Sequence, residues 1–189
     1  MCGFWIEQDN GTVKLPNDFV IDADLTQDQL RQSALMKDAR AFDCGTLPFI
    51  HFDIDAGEIQ NKPVLGRLSF YDQLLLSIDL TVDLYPVDQH GWEYYSLDVE
   101  KQTKRLHEQI LVDMLDSPTP QMKLSQFMNK ISDKLLNHDR AWEKPMCWNY
   151  VWGTVGSYYD SRGGSTGIII HYAGRHEKAN RDYQAKHAR

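Results

Sequence analysis

Cysteine is scarce in this chain. Among 189 residues there are three, Cys2, Cys44 and Cys147. The number is odd and the spacings are wide, so neither a disulfide framework nor a CxxC metal site is written here. Free thiols in a reducing cytoplasm are the expectation. Long apolar runs are missing too. The longest, Leu74 to Leu80, is interrupted by Ser77 and Asp79, and a membrane span needs ~20 apolar residues. The opening residues, Met1 to Glu7, carry no basic stretch, no apolar core and no small-residue cleavage site, which again points to the cytoplasm. Positive charge is in deficit. Twenty Lys and Arg face 27 Asp and Glu, for a net charge of -7 and a pI near 5.4. That balance argues against a nucleic-acid partner. GxSxG, HExxH, Walker and dinucleotide fingerprints are all absent. The glycine-rich run Arg162 to Gly167 leads into a strand rather than a helix N-terminus. It therefore reads as a hairpin turn and not as a phosphate cradle.

What is present describes a folded domain. Hydrophobic residues make up 42% and aromatics 11%, too much for wholesale disorder. A chain of this length buries roughly 70% of its unfolded surface, so its core needs neither metal nor disulfide. The charge is unevenly spread. Residues 1–100 hold 18 Asp or Glu against 6 Lys or Arg, a net of -12. Residues 101–189 hold 9 against 14, a net of +5. The acidic half repels nucleic acid and attracts basic surfaces.

Periodicity then locates the elements. Gly3 to Ile21 reads as short strands around the Asp9-Asn10-Gly11 turn. Thr26 and Gln29 have capping-box spacing, predicting a helix from about Gln27 to Met36. Ile50, Phe52 and Ile54 alternate with His51, Asp53 and Asp55. Val64, Leu68 and Phe70 alternate with Arg67, Ser69 and Tyr71. Leu74, Leu76, Ile78, Leu80 and Val82 alternate with Leu75, Ser77, Asp79, Thr81 and Asp83. Three such stretches with short turns predict an antiparallel meander with one wet face. From Ser96 the period becomes helical, with Val99, Leu106, Ile110 and Met114 as the expected buried stripe, widened by Leu111 and Leu115. A second helix is expected over about Ser125 to Asn137. The two would form a helical hairpin against the sheet. Tyr150 to Tyr159 and Gly167 to Tyr172 read as a closing β-hairpin. The fold class is therefore α+β: an antiparallel meander plus C-terminal hairpin, with a helical hairpin inserted between them. Residues 1–174 are expected to form one domain, with the insertion at about 96–140. Residues 175–189 are a polar, basic tail.

Several residues could carry chemistry. His171 and His176 do not share a helical face if the first lies on a strand, and no third ligand is evident, so no metal or cofactor is expected. Asp53, Asp55, Asp79 and Asp83 are placed on the wet sheet face, where they offer an anionic surface. Trp92 and Tyr95 follow Gly91 in a loop-like stretch, and aromatics of that kind are enriched at interface hot spots.

The segment from Trp152-Gly153 through Tyr159-Asp160, Arg162-Gly163-Gly164 and Ile168-Ile169-Ile170 to Tyr172 resembles the ending of a group of small uncharacterised bacterial proteins. Phe70-Tyr71-Asp72, Leu76 to Leu80 and the Leu25-Thr26 helix start resemble the same group. The middle, from about Thr103 to Trp142, is longer here, which implies an added helical insertion. The group brings no established activity or catalytic residues. Proteins of this type are similar to the small acidic immunity proteins encoded beside bacterial toxins. The resulting expectation is a cytoplasmic, non-catalytic, immunity- or antitoxin-like protein. It would occlude a basic toxin domain with Asp53, Asp55, Asp79 and Asp83, anchored by Trp92 and Tyr95. A hydrolase using a carboxylate with His51 or His171 is an alternative. A homo-oligomeric assembly module joined by an edge strand is another.

Overall fold

The computed structural model describes residues 3–37, 40–42, 49–85, 92–115 and 142–187. Three two-residue strands, β1 (Trp5–Ile6), β2 (Val13–Lys14) and β3 (Val20–Ile21), pair antiparallel in that order. Each sends one side chain inward: Ile6, Val13 and Ile21. Helix α1 (Gln27–Gln32) starts on the capping box read from the sequence. The Gln29 N–H donates to Thr26 Oγ1 at 3.2 Å, and the Thr26 N–H donates to Gln29 Oε1 at 2.8 Å, so two orphan donors are satisfied reciprocally. The helix is shorter than expected. Ser33 turns extended, and a 3-10 turn carries Ala34–Lys37.

The main sheet has seven antiparallel strands. They are β4 (Arg40–Phe42), β5 (Phe49–Ile59), β6 (Lys62–Tyr71), β7 (Leu74–Val82), β8 (Met146–Tyr150), β9 (Gly153–Asp160) and β10 (Ser165–Tyr172). Their order is β4-β5-β6-β7-β10-β9-β8. The meander and the closing hairpin therefore meet at β7 and β10, in the middle of the sheet. Phe52, Ile54, Val64, Leu68, Ile78, Leu80, Val155, Ile168 and Ile170 point to one inner face, where they join Ile6, Val13, Ile21 and Leu30 in one buried cluster. Alternation has done this, since successive strand residues face opposite ways.

Two strand expectations are corrected. β7 does not keep one alternation along its length. Ser69 pairs with Ser77 but Phe70 pairs with Leu75, so a bulge absorbs an extra residue. Leu75 joins the inner core, whereas Leu76 is buried on the outer face with Tyr71. The stretch Tyr150 to Tyr159 is not one strand. β8 ends at Tyr150, β9 begins at Gly153, and the two pair antiparallel. Val151 and Trp152 make the turn. The Trp152 ring stacks on Tyr150 at 5.1 Å, and its Nε1–H donates to the Gln8 carbonyl at 2.7 Å. This contact ties the small sheet to the hairpin.

Helix α2 (Leu97–Met114) is capped by Ser96 and lies against β7, β9 and β10. The second helix expected over about 125–137 falls outside the described residues. The basic tail forms helix α3 (Arg175–His187). It packs on the outer face, where Ala179 and Tyr183 meet Tyr71, Leu74, Leu76 and Phe49. No helix among the described residues is long and apolar enough to cross a membrane.

Candidate functional site: an open groove on the outer sheet face

Among the described residues, helix α3 covers one end of the outer face. The other end is an open groove of 590 Å³. Its floor follows from register. Asp53 of β5 lies opposite Arg67 of β6, and Arg67 lies opposite Asp79 of β7. The next row holds Asp55, Leu65 and Thr81. Tyr158 of β9 and Ser165 of β10 close the far side. Leu65 is exposed in the groove, an apolar side chain among polar ones.

A polar chain crosses the floor. The Tyr158 hydroxyl donates to Asp79 Oδ2 at 2.6 Å. Arg67 donates twice to Asp53, from Nε at 2.8 Å and from Nη2 at 3.2 Å. Fork geometry of this kind orients both partners. Both side chains are about half exposed, so the pair contributes little to stability. Burial pushes the Asp79 carboxyl above its usual range. The Tyr158 hydrogen bond and Arg67 pull it back, and Asp53 adds to the rise.

The Tyr158–Asp79 bond spans the intervening strand over Gly167. A Cβ on Gly167 would lie 2.6 Å from Asp79 Oδ1 and 2.8 Å from the Tyr158 hydroxyl oxygen. Only glycine leaves that space clear. Gly167→Ala should therefore break the bond and destabilise the chain by about 1–3 kcal/mol, because a half-buried carboxylate loses its donor. Urea unfolding of the variant beside Tyr158→Phe checks this. The two substitutions should have overlapping rather than additive costs.

The candidate residues named from sequence separate into three places. Asp53, Asp55 and Asp79 line the groove together. The Asp55 carboxylate also accepts the Gly57 N–H at 2.8 Å, which holds the strand bulge between Asp55 and Glu58. Asp83 lies one residue past the end of β7, accepts the Tyr85 N–H at 2.9 Å, and does not line the groove. Trp92 opens a 3-10 turn, Trp92–Tyr94, before α2. Tyr95 is exposed, and its hydroxyl is 3.0 Å from that of Tyr159. Tyr158 and Tyr159 are consecutive strand residues and so face opposite ways. Tyr95 thus sits on the inner side of the same sheet end whose outer side is the groove. Of the two histidines considered for hydrolysis, His51 pairs with Ser69 Oγ at 2.9 Å and His171 lies under α3 beside His176. Neither lines the groove.

No family model matches the chain, and no curated protein matches it. A chain of the solved assembly "Rhs1-CT in complex with cognate immunity protein RhsI1" aligns with 97% of this chain and 96% of its own length. The identity is 12% and the TM-score 0.45. At those values the likeness supports no conclusion about fold or function.

Sequence reasoning missed the buried face of α2. Of the expected stripe, Leu111 and Leu115 are buried, but Val99, Leu106, Ile110 and Met114 are only partly so. The deeply buried positions are Glu100, Thr103, Lys104, His107 and Leu111. These also recur at helical spacing, but four of the five are polar. The reason lies in the sheet. The β7–β10 ladder runs from Ser77 to Leu80 and ends there. Polar side chains serve the backbone there. His107 Nε2 accepts the Val82 N–H at 2.9 Å. Thr81 Oγ1 donates to the Thr166 carbonyl at 2.9 Å. The Thr166 N–H donates to Glu100, whose Oε1 also accepts the Tyr85 hydroxyl at 2.9 Å. Lys104 is sealed in by an ion pair with Glu108. Buried backbone donors require partners, and α2 supplies them where the ladder ends, although His107 Nδ1 and Thr166 Oγ1 find none among the described residues. A helical wheel carries no hint of this.

Proposed function

We propose that this chain is a cytoplasmic, non-catalytic protein of the bacterial immunity or antitoxin type, folded as one α+β domain, that occludes a basic face of a toxin. One observation carries the reading: Asp53, Asp55 and Asp79 converge in a groove on a sheet end that no other described element covers. Three carboxylates face one guanidinium there, so the groove keeps a negative balance. The net charge of -12 over residues 1–100 extends that field and steers a basic partner inward. Tyr95, exposed at the same end of the sheet, supplies aromatic area of the sort that slows dissociation.

Co-purification from the native host tests the reading. A single basic protein at one-to-one stoichiometry, released by salt, is the expected result. Isolation of this chain alone, with no toxin gene beside its own, counts against the proposal.

A further inference from the structure

We propose that α3 is a pH-released latch on the outer sheet face: His171, buried beneath α3 against the His176 ring, lets it dock while its imidazole is neutral and frees it when that ring takes up a proton. His171 stands on β10 and His176 on the first turn of α3. Their rings meet edge to face with centroids 5.3 Å apart, and Phe49 stands 6.1 Å from His176 on the other side. Nδ1 of His171 and Nε2 of His176 are both buried, and neither finds a hydrogen-bond partner among the described residues. Protonation of His171 would thus create unpaired buried charge against the His176 ring.

The surroundings give the charge little relief. Ser77 of β7 and Thr154 of β9, the register neighbours of His171, are uncharged. Glu177, exposed on α3, is the one carboxylate favouring the charged form of His171. Burial outweighs it, and His176 reinforces burial, so His171 titrates below its ordinary range. The Arg175 guanidinium is engaged elsewhere. It donates to the carbonyls of Leu75, at 2.8 Å, and Ala23, and lies over the Tyr172 ring.

The rest of α3 is weakly held. Its apolar contribution is Ala179 and Tyr183, and elements with so little buried apolar surface open first. Gly174, just before it, has a φ of 71° and open space around it, as a hinge requires. Swinging away would bare Phe49, Leu74 and Leu76 on the same face as the groove. Arg175 lies beyond that hinge, so its bonds to the Leu75 and Ala23 carbonyls part as α3 leaves.

Amide hydrogen exchange of the full chain tests the latch at pH 7.5 and pH 5.5, corrected for intrinsic rates. Protection over residues 177–187 should fall about tenfold more than protection in β9 and β10, the change one coupled proton gives per pH unit below its titration. In His171→Phe, which keeps an aromatic ring against His176, that extra loss should vanish. His171→Gln serves the same purpose if the Phe variant does not fold. Equal loss in wild type and variants overturns the latch, and so does unchanged protection of α3 between the two pH values.

Discussion

Lowering the pH from 6.5 to 3 should remove on the order of 4 kcal/mol of folding stability through His107 alone. The side chain is fully buried in α2 against the sheet. Burial chiefly, and the nearby Lys104 cation secondarily, hold its imidazole down from 6.5 to about 3. Val82 N–H donates to Nε2, so the neutral ring carries its proton on Nδ1 and folding demands that neutral form. Because the folded value lies below the unfolded one, the contribution is complete above pH 6.5. It declines as pH falls toward 3, since the unfolded chain takes up the proton first. Asp79 and Glu100 act with the opposite sign. Their carboxyls are raised by burial, so they regain stability for the fold once acid neutralises them. Urea unfolding midpoints across pH separate the two effects. His107→Gln keeps an acceptor for Val82 and should show a much flatter profile between pH 6.5 and pH 4. His107→Leu should cost about 1–3 kcal/mol even at pH 8, because the Val82 donor is left buried and unpaired. A wild-type profile matching that of His107→Gln would refute the assignment.

Reversing charge in the groove should have the second large effect. Asp53→Lys with Asp55→Lys should slow association with the basic partner by about 10- to 100-fold at low salt. The gap should narrow as salt rises toward 0.5 M, since the Debye length falls to a few ångströms. The double variant should also lose about 1–2 kcal/mol of stability, because Asp55→Lys removes the acceptor of the Gly57 N–H and Asp53→Lys sets a second cation opposite Arg67. Asp83→Lys is the built-in comparison. Asp83 lies away from the groove, near Tyr85 and the end of β7. It should alter the rate much less than either groove aspartate. Stopped-flow association at three salt concentrations measures both.

Much of the fold was legible because period-two alternation and turn residues are local signals. The meander from Phe49 to Val82 and the Asp160 to Ser165 turn follow from them, and the Thr26 cap follows from residue spacing. Three carboxylates of the groove followed as well, since Asp53, Asp55 and Asp79 share one strand parity. What could not be read is non-local. The bulge that turns Leu76 outward depends on the pairing with β6. The polar face of α2 depends on the β7–β10 ladder ending at Leu80, a fact about two strands nearly ninety residues apart in sequence. Asp83 has the parity of the groove aspartates, but the strand ends one residue before it. Arg67 was seen on the wet face, yet its fork with Asp53 needed the register. His171 and His176 looked unrelated because one was read as strand and the other as tail. The return of α3 over the sheet brings them together.

The central claim is that a basic partner lands on the groove. Hydrogen-exchange footprinting of the complex, recovered by co-purification, tests it most directly. The account predicts added protection around Asp53, Arg67 and Asp79, in the mid-portions of β5, β6 and β7, and at the β9–β10 turn, with none around β1 to β3. Protection confined to the small sheet or to the β8 edge, with the groove strands exchanging as in the free chain, would contradict it.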